Sequence, residues 1–135
     1  MKSIKDILFI ITISVCLILF LKIFVIDFKI VASESMSPTL RKRELVAISK
    51  LGYNIFGIEY NDPEVKDIIA FKHENDLLIK RISNFNDSKD LYLLGDNSLN
   101  SFDSREFGYI KSDSIVGKAI FKFDFNEFTI TFLNR

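Results

Sequence analysis

The sequence predicts a mainly β domain carried on one N-terminal membrane-spanning helix, and three observations lead there. Residues 7–26, ILFIITISVCLILFLKIFVI, hold a single charge, Lys22. An α-helix of that length reaches roughly 30 Å, the thickness of a bilayer core. Beyond residue 28 the chain breaks into short runs of branched and aromatic residues parted by turn-prone segments, the texture of strands. No helical period sustains itself in that second part. The expected division is residues 1–28 as cytoplasmic end and anchor, and residues 29–135 as an extracytoplasmic β domain.

Taken in order, the anchor comes first. Lys22 lies one turn from the end of the apolar run, where its long stem can carry the ammonium to the headgroups. Lys2 and Lys5 against Asp6 place the N-terminus inside. A cleavable secretory signal is the alternative, with Val31, Ala32 and Ser33 as small residues before a cut, but such apolar regions usually run about 7–15 residues. The strands follow: residues 45–48, 67–71, 77–82, 91–94 and 115–125. Residues 54–63 and 84–90 gather Asn, Asp, Gly, Ser and Pro and read as turns. Phe121, Phe123 and Phe125 alternate with Lys122 and Asp124, as on a half-buried strand.

Composition narrows the function. A chain of 135 residues has room for one ordinary domain, and 48% hydrophobic residues with 14 Phe exclude a disordered tail. Eighteen basic and 18 acidic residues cancel, and no basic stripe stands out, so no nucleic-acid partner is expected. A lone Cys16 and a lone His73 offer neither a disulfide nor a metal cluster, so no metal and no cofactor are expected.

Three segments carry unusual polar density: residues 33–40 (SESMSPTL), Lys80-Arg81, and residues 95–108 (GDNSLNSFDSREFG). Each alone can be a linker, a solvated strand face or a hydrogen-bonded loop. Together they read as chemistry. A serine hydroxyl is a poor nucleophile until a base takes its proton, and the only histidine candidate is His73, in a polar strand end. A lysine can serve instead if it is desolvated, which lowers its pKa from the ordinary value of about 10. In a strand, Lys80 stands on the same face as Leu78 and Ile82, whereas Arg81 falls on the opposite face with Ile79. A snorkelling lysine at a strand edge is the competing explanation of that pattern.

These residues resemble the type I signal peptidases, the Ser-Lys dyad enzymes of family S26. SESMSPTL is similar to that family's Ser-x-Ser-Met-x-Pro-Thr-Leu box, Lys80-Arg81-Ile82 to its Lys-Arg-Val box, and residues 95–108 to its third box. Residues 67–71 and 115–119 resemble family strands, so the likeness covers nearly the whole chain. The resemblance implies a compact antiparallel β-sheet, barrel-like, and a membrane-bound serine endopeptidase that removes signal peptides from exported preproteins after small-x-small motifs. It implies Ser35 as nucleophile and Lys80 as general base. The Ser33 hydroxyl and the Ser35 N–H would form the oxyanion site. Ser101 would orient the lysine, Asp103 and Arg105 would form a structural ion pair, and Gly95, Asp96 and Asn97 would make the turn that brings this strand close. Met36 is expected to pack behind the nucleophile. Preproteins and membrane lipid are the implied partners, around a monomer or with a partner subunit.

Departures are visible too. Arg43-Glu44 stands where the family usually has Gly-Asp. Residues 83–87 replace the usual Gly-x-Pro-Gly-Asp continuation, and only 13 residues separate Arg81 from Gly95, so the β subdomain many bacterial members insert there is absent. The alternatives are a dedicated processing peptidase of a secretion or conjugation system, and a non-catalytic membrane-tethered β module.

Overall fold

The computed structural model describes residues 3–55, 58–59 and 61–133. The apolar run is helical: α1 spans Ile4–Phe20 and continues through one π-turn, Leu21–Val25. Ser3 Oγ accepts from the Lys5 N–H at 3.4 Å and the Asp6 carboxylate accepts from the Ser3 N–H at 3.0 Å, which satisfies donors at the helix start. No α1 residue is buried, and Ile4–Val25 is long and apolar enough to cross a membrane.

Strand β1, Ile26–Ile30, follows without a linker, so the helix stops one residue before the predicted end of the apolar run, and position 28 lies within a strand. Sequence reasoning misses β1 because its first residue still belongs to that run; only the alternation of Asp27 and Lys29 with Phe28 and Ile30 marks it. The remaining strands are β2 (Leu45–Ser49), β3 (Asn54–Ile55), β4 (Ile58–Glu59), β5 (Ile68–His73), β6 (Asp76–Phe85), β7 (Leu91–Leu94), β8 (Ile115–Asp124) and β9 (Thr129–Phe132). A four-residue helix α2, Ser104–Phe107, and a 3-10 turn, Ser112–Ser114, complete the domain.

Seven strands form one antiparallel sheet in the order β1-β2-β8-β5-β6-β7, with β9 added to β8, and β3 and β4 make a separate ribbon. Two segments read as turns are thus partly strand: β3 and β4 lie within residues 54–63, and β6 runs on through Asn84 and Phe85, which pair with Tyr92 and Leu91. Cross-strand pairing outweighs turn propensity there.

Two buried clusters hold the sheet. One gathers Val31, Met36, Leu40, Val46, Ile68 and Ala119; the other gathers Tyr53, Ile69, Phe71, Ile82, Leu91 and Leu93. Consecutive residues of β5, Ile68 and Ile69, enter different clusters, as the twofold period of a strand requires.

A bulge in β8 decides the fate of the aromatic residues. Ile48 pairs with Ala119 but Ala47 pairs with Phe121, so one extra residue, Ile120, is inserted and the face is exchanged. Phe121 and Phe123 therefore join an outer face with Phe28 and Ile30 of β1 and with Phe132 and Ile130 of β9. Phe28, Ile30, Ile130 and Phe132 are exposed, as are Phe125 and Phe128 beyond them. Lys122 turns to the other side, where its amine meets the buried Glu44 carboxylate at 2.9 Å.

Candidate active site

The loop from residue 31 to residue 44 is pinned at both ends and from below. Val31 N–H donates to the Glu44 carbonyl and Arg43 N–H to the Val31 carbonyl, both at 2.9 Å, which closes its neck. Met36 and Leu40 are buried in the core, and Leu40 N–H donates to the Met36 carbonyl at 2.8 Å. Met36 thus packs behind Ser35, as expected. Arg43 adopts φ 74°, a left-handed conformation that suits glycine, and Glu44 also receives the Arg41 N–H at 2.8 Å. Arg43 thus takes a backbone conformation that suits glycine, and Glu44 is anchored on Lys122.

Lys80 comes from the middle of β6, opposite Ile69 of β5. It is 3% exposed, and its Nζ lies 2.7 Å from Ser35 Oγ. Burial pushes the amine below its ordinary value, against the charges of Asp103 and Glu106, which pull it up. A charged amine donates in this contact. Once the proton is lost, the same contact reverses and the hydroxyl donates to the nitrogen lone pair, the arrangement a general base needs. Ser33 Oγ stands 3.2 Å from Ser35 Oγ. Among the described residues nothing accepts from the Ser35 backbone N–H.

The third polar segment grips the serine loop from the other side. Asn97 N–H donates to the Ser35 carbonyl at 2.9 Å and its side-chain amide to the Glu34 carbonyl at 3.2 Å. A Cβ on Gly95 would overlap Ser101 Oγ and come within 2.5 Å of the Ser35 carbonyl, so only glycine lets the strand pass. Asp103 is fully buried. Its carboxylate accepts from Gly95 N–H at 2.9 Å and takes a bidentate pair from Arg105 at 2.7 and 2.8 Å. Burial alone would raise its pKa; Arg105 and the Gly95 N–H outweigh it and hold the carboxyl well below the usual range.

Two placements, Ser101 and Asp96, differ from the sequence reading, and His73 stays out of the serine site in keeping with it. Ser101 Oγ is buried but makes no hydrogen bond, so the expected bond to the Lys80 amine is not formed; the amine is directed at Ser35 instead. Asp96 does more than shape a turn, because its carboxylate pairs with Arg81 at 2.7 and 2.8 Å. The signal for that pair was present in the sequence: Arg81 faces away from Lys80 and needs an acid of its own. His73 stacks on Phe107, with ring centroids 4.4 Å apart, and against Phe102, and takes no part in the serine site.

A cleft of about 440 Å³ opens over Ser33, Ser35 and Lys80. Ile30, Val31 and Ala32 form one wall, Leu77, Leu78 and Ile79 the other, and Met36 and Leu40 also line it. β7 pairs with β6 only from Arg81 onward, so residues 76–80 keep one strand edge open toward this cleft. A larger hollow of about 670 Å³, lined in part by Tyr53, Phe85 and Ile115, contains none of these polar residues. The chemistry selects the smaller one.

A serine hydroxyl against a buried, depressed lysine amine, at an apolar cleft on an antiparallel sheet, is the arrangement expected of a lysine-assisted serine hydrolase. The family described as "Signal peptidase, peptidase S26" matches residues 4–85 and 87–124, and the chain belongs to it. Signal peptidase I of Bacillus caldolyticus is 28% identical, over 89% of this chain and 92% of its own length. Signal peptidase IB of Staphylococcus aureus is 31% identical, over 76% of this chain and 80% of its own length.

Proposed function

We propose that Ser35 and Lys80 are the nucleophile and general base with which this membrane-anchored serine endopeptidase removes signal peptides from preproteins. The observation that carries the assignment is the 2.7 Å contact between Ser35 Oγ and an amine depressed by burial. Lys80 takes the hydroxyl proton as Ser35 attacks the scissile carbonyl, then returns it to the leaving amine. The Ser35 N–H and the Ser33 hydroxyl receive the oxyanion. Ser101 Oγ, buried and unpaired, is the acceptor that orients the amine when the Ser35 oxygen is engaged with substrate. Asp103 with Arg105, and Gly95, Asp96 and Asn97, hold these groups in place.

The substrate binds as an extended strand along the open edge of residues 76–80, with small side chains seated against the apolar walls of the cleft. Ser35 follows Ile26 by nine residues, so it lies at most about 30 Å beyond the span. The outer aromatic face begins at Phe28, three residues past Val25, which favours a domain resting near the lipid surface. With Lys2 and Lys5 inside, residues 29–135 form the extracytoplasmic domain of a single-pass monomer, and residues 1–28 its anchor.

The test is cleavage of a preprotein after a small-x-small motif by purified protein in detergent. Ser35→Ala and Lys80→Ala each abolish it. Normal cleavage by the lysine variant removes the assignment of the base. Protease added outside intact spheroplasts digests the β domain; digestion only after lysis reverses the orientation.

A further inference from the structure

The membrane helix meets the sheet at one small junction. α1 buries none of its residues, and β1 leaves the π-turn without a linker, so the angle between span and domain depends on what holds that turn. One set of contacts comes from the turn that follows the neighbouring strand β2. Lys50, in the turn after β2, donates through Nζ to the carbonyls of Lys22 and Ile23 at 3.1 and 2.9 Å, and through its backbone N–H to the carbonyl of Val25 at 2.8 Å. These are last-turn carbonyls of a helix, unsatisfied by the helix itself and carrying the negative end of its dipole, and the ligand they receive is a cation. A π-turn is also a place where helices bend, so an unsupported one leaves direction undetermined.

We propose that Lys50 is a positioning residue that latches the membrane span to the catalytic sheet and thereby sets the height and tilt at which membrane-bound substrate reaches Ser35. The proposal rests on the reading that Ser35 cleaves a substrate emerging from the same membrane. Lys50 touches none of the groups of the serine site, so its effect depends on whether the substrate is itself fixed by the bilayer. A soluble peptide diffuses into the cleft at any domain tilt. A preprotein held in the membrane arrives at one height only, and a small misplacement of the reacting groups is costly.

The experiment uses the full chain in lipid nanodiscs on a Cys16→Ser background. Nitroxide labels go on Val15→Cys in the span and Lys111→Cys on the domain, and their distance distribution is measured with Lys50, Lys50→Met and Lys50→Arg. A narrow distribution that broadens in Lys50→Met and is restored in Lys50→Arg supports the latch; a distribution unchanged in Lys50→Met overturns it. In parallel, kcat/KM is measured on a membrane-inserted preprotein and on a short soluble peptide spanning the same cut. Lys50→Met lowers the first roughly tenfold and leaves the second unchanged. Equal losses on both substrates indicate a local folding role and overturn the latch. If the parent cleaves neither substrate, the functional reading fails, and the distance measurement still decides whether Lys50 holds the helix.

Discussion

On β6 two cations one residue apart face different surroundings. Arg81 has a carboxylate of its own, Asp96, in a two-point contact, and its charge is stabilised. Lys80 is more deeply buried and has none; its polar contact is a serine hydroxyl. The acids nearby are not lacking, since Asp103 and Glu106 both act on the amine through space. Asp103 is already engaged by Arg105 and the Gly95 N–H, and Asp96 by Arg81. Each arginine thus holds one carboxylate, and neither carboxylate bonds the lysine. An ion pair at Lys80 would fix the amine as a cation and bar it from the proposed role of base, whereas desolvation without a partner lowers its pKa.

The largest expected effect comes from putting a permanent charge where the depressed amine sits. Lys80→Arg loses cleavage by about 10⁴-fold or more, because guanidinium cannot take a proton. Single-turnover cleavage measures this, and activity near the parent level would break the contrast between the two cations. Next, the acidic limb of kcat/KM against pH follows deprotonation of Lys80. Arg105→Met leaves Asp103 unneutralised and moves that limb to higher pH; Asp103→Asn removes an attracting charge and moves it lower. Limbs that stay together would show that Asp103 is not felt at the amine.

Stability carries the same signs. The unfolded chain keeps the Lys80 proton to about pH 10, while the folded one releases it earlier. The contribution of this group to stability therefore rises with pH between those two values. Asp103 runs the same way in a lower window: its contribution is present above the ordinary carboxylate pKa and is lost as pH falls from there through its depressed folded value. A smaller effect is expected from Arg81→Met, which strands a half-buried Asp96 and destabilises the fold by about 2 kcal/mol in urea melts. It should leave the acidic limb in place, in contrast to the Arg105 variant. The smallest is a gain: Arg43→Gly relieves the left-handed backbone at φ 74° and stabilises by about 1 kcal/mol.

Much of the site could be read from the chain because its chemistry is carried by residue types at fixed spacing. Ser35 and Lys80 are 45 positions apart, yet each sits in a box whose neighbours explain it, Met36 and Leu40 as buried anchors and Leu78 and Ile82 as flanks. What could not be read depends on register. The bulge at Ile120 sends the phenylalanines outward and Lys122 inward to Glu44, and alternation in sequence is blind to which face is core. The cleft walls, Ile30 to Ala32 and Leu77 to Ile79, come from apolar stretches with no chemical mark, so only their convergence identifies them.

The sequence by itself determined the membrane span, the β character of the rest and the pair of residues proposed to react, since bilayer length, strand alternation and nucleophile chemistry are local demands on residue type. The tertiary structure alone decided which charges are matched. Asp96 went to Arg81 and Asp103 to Arg105, while the Ser101 hydroxyl was left without a partner and the β1–β2 pairing set Lys50 beside the end of the span. Pairing depends on distance and solvent exclusion, which arise only when strands distant in the chain are packed side by side.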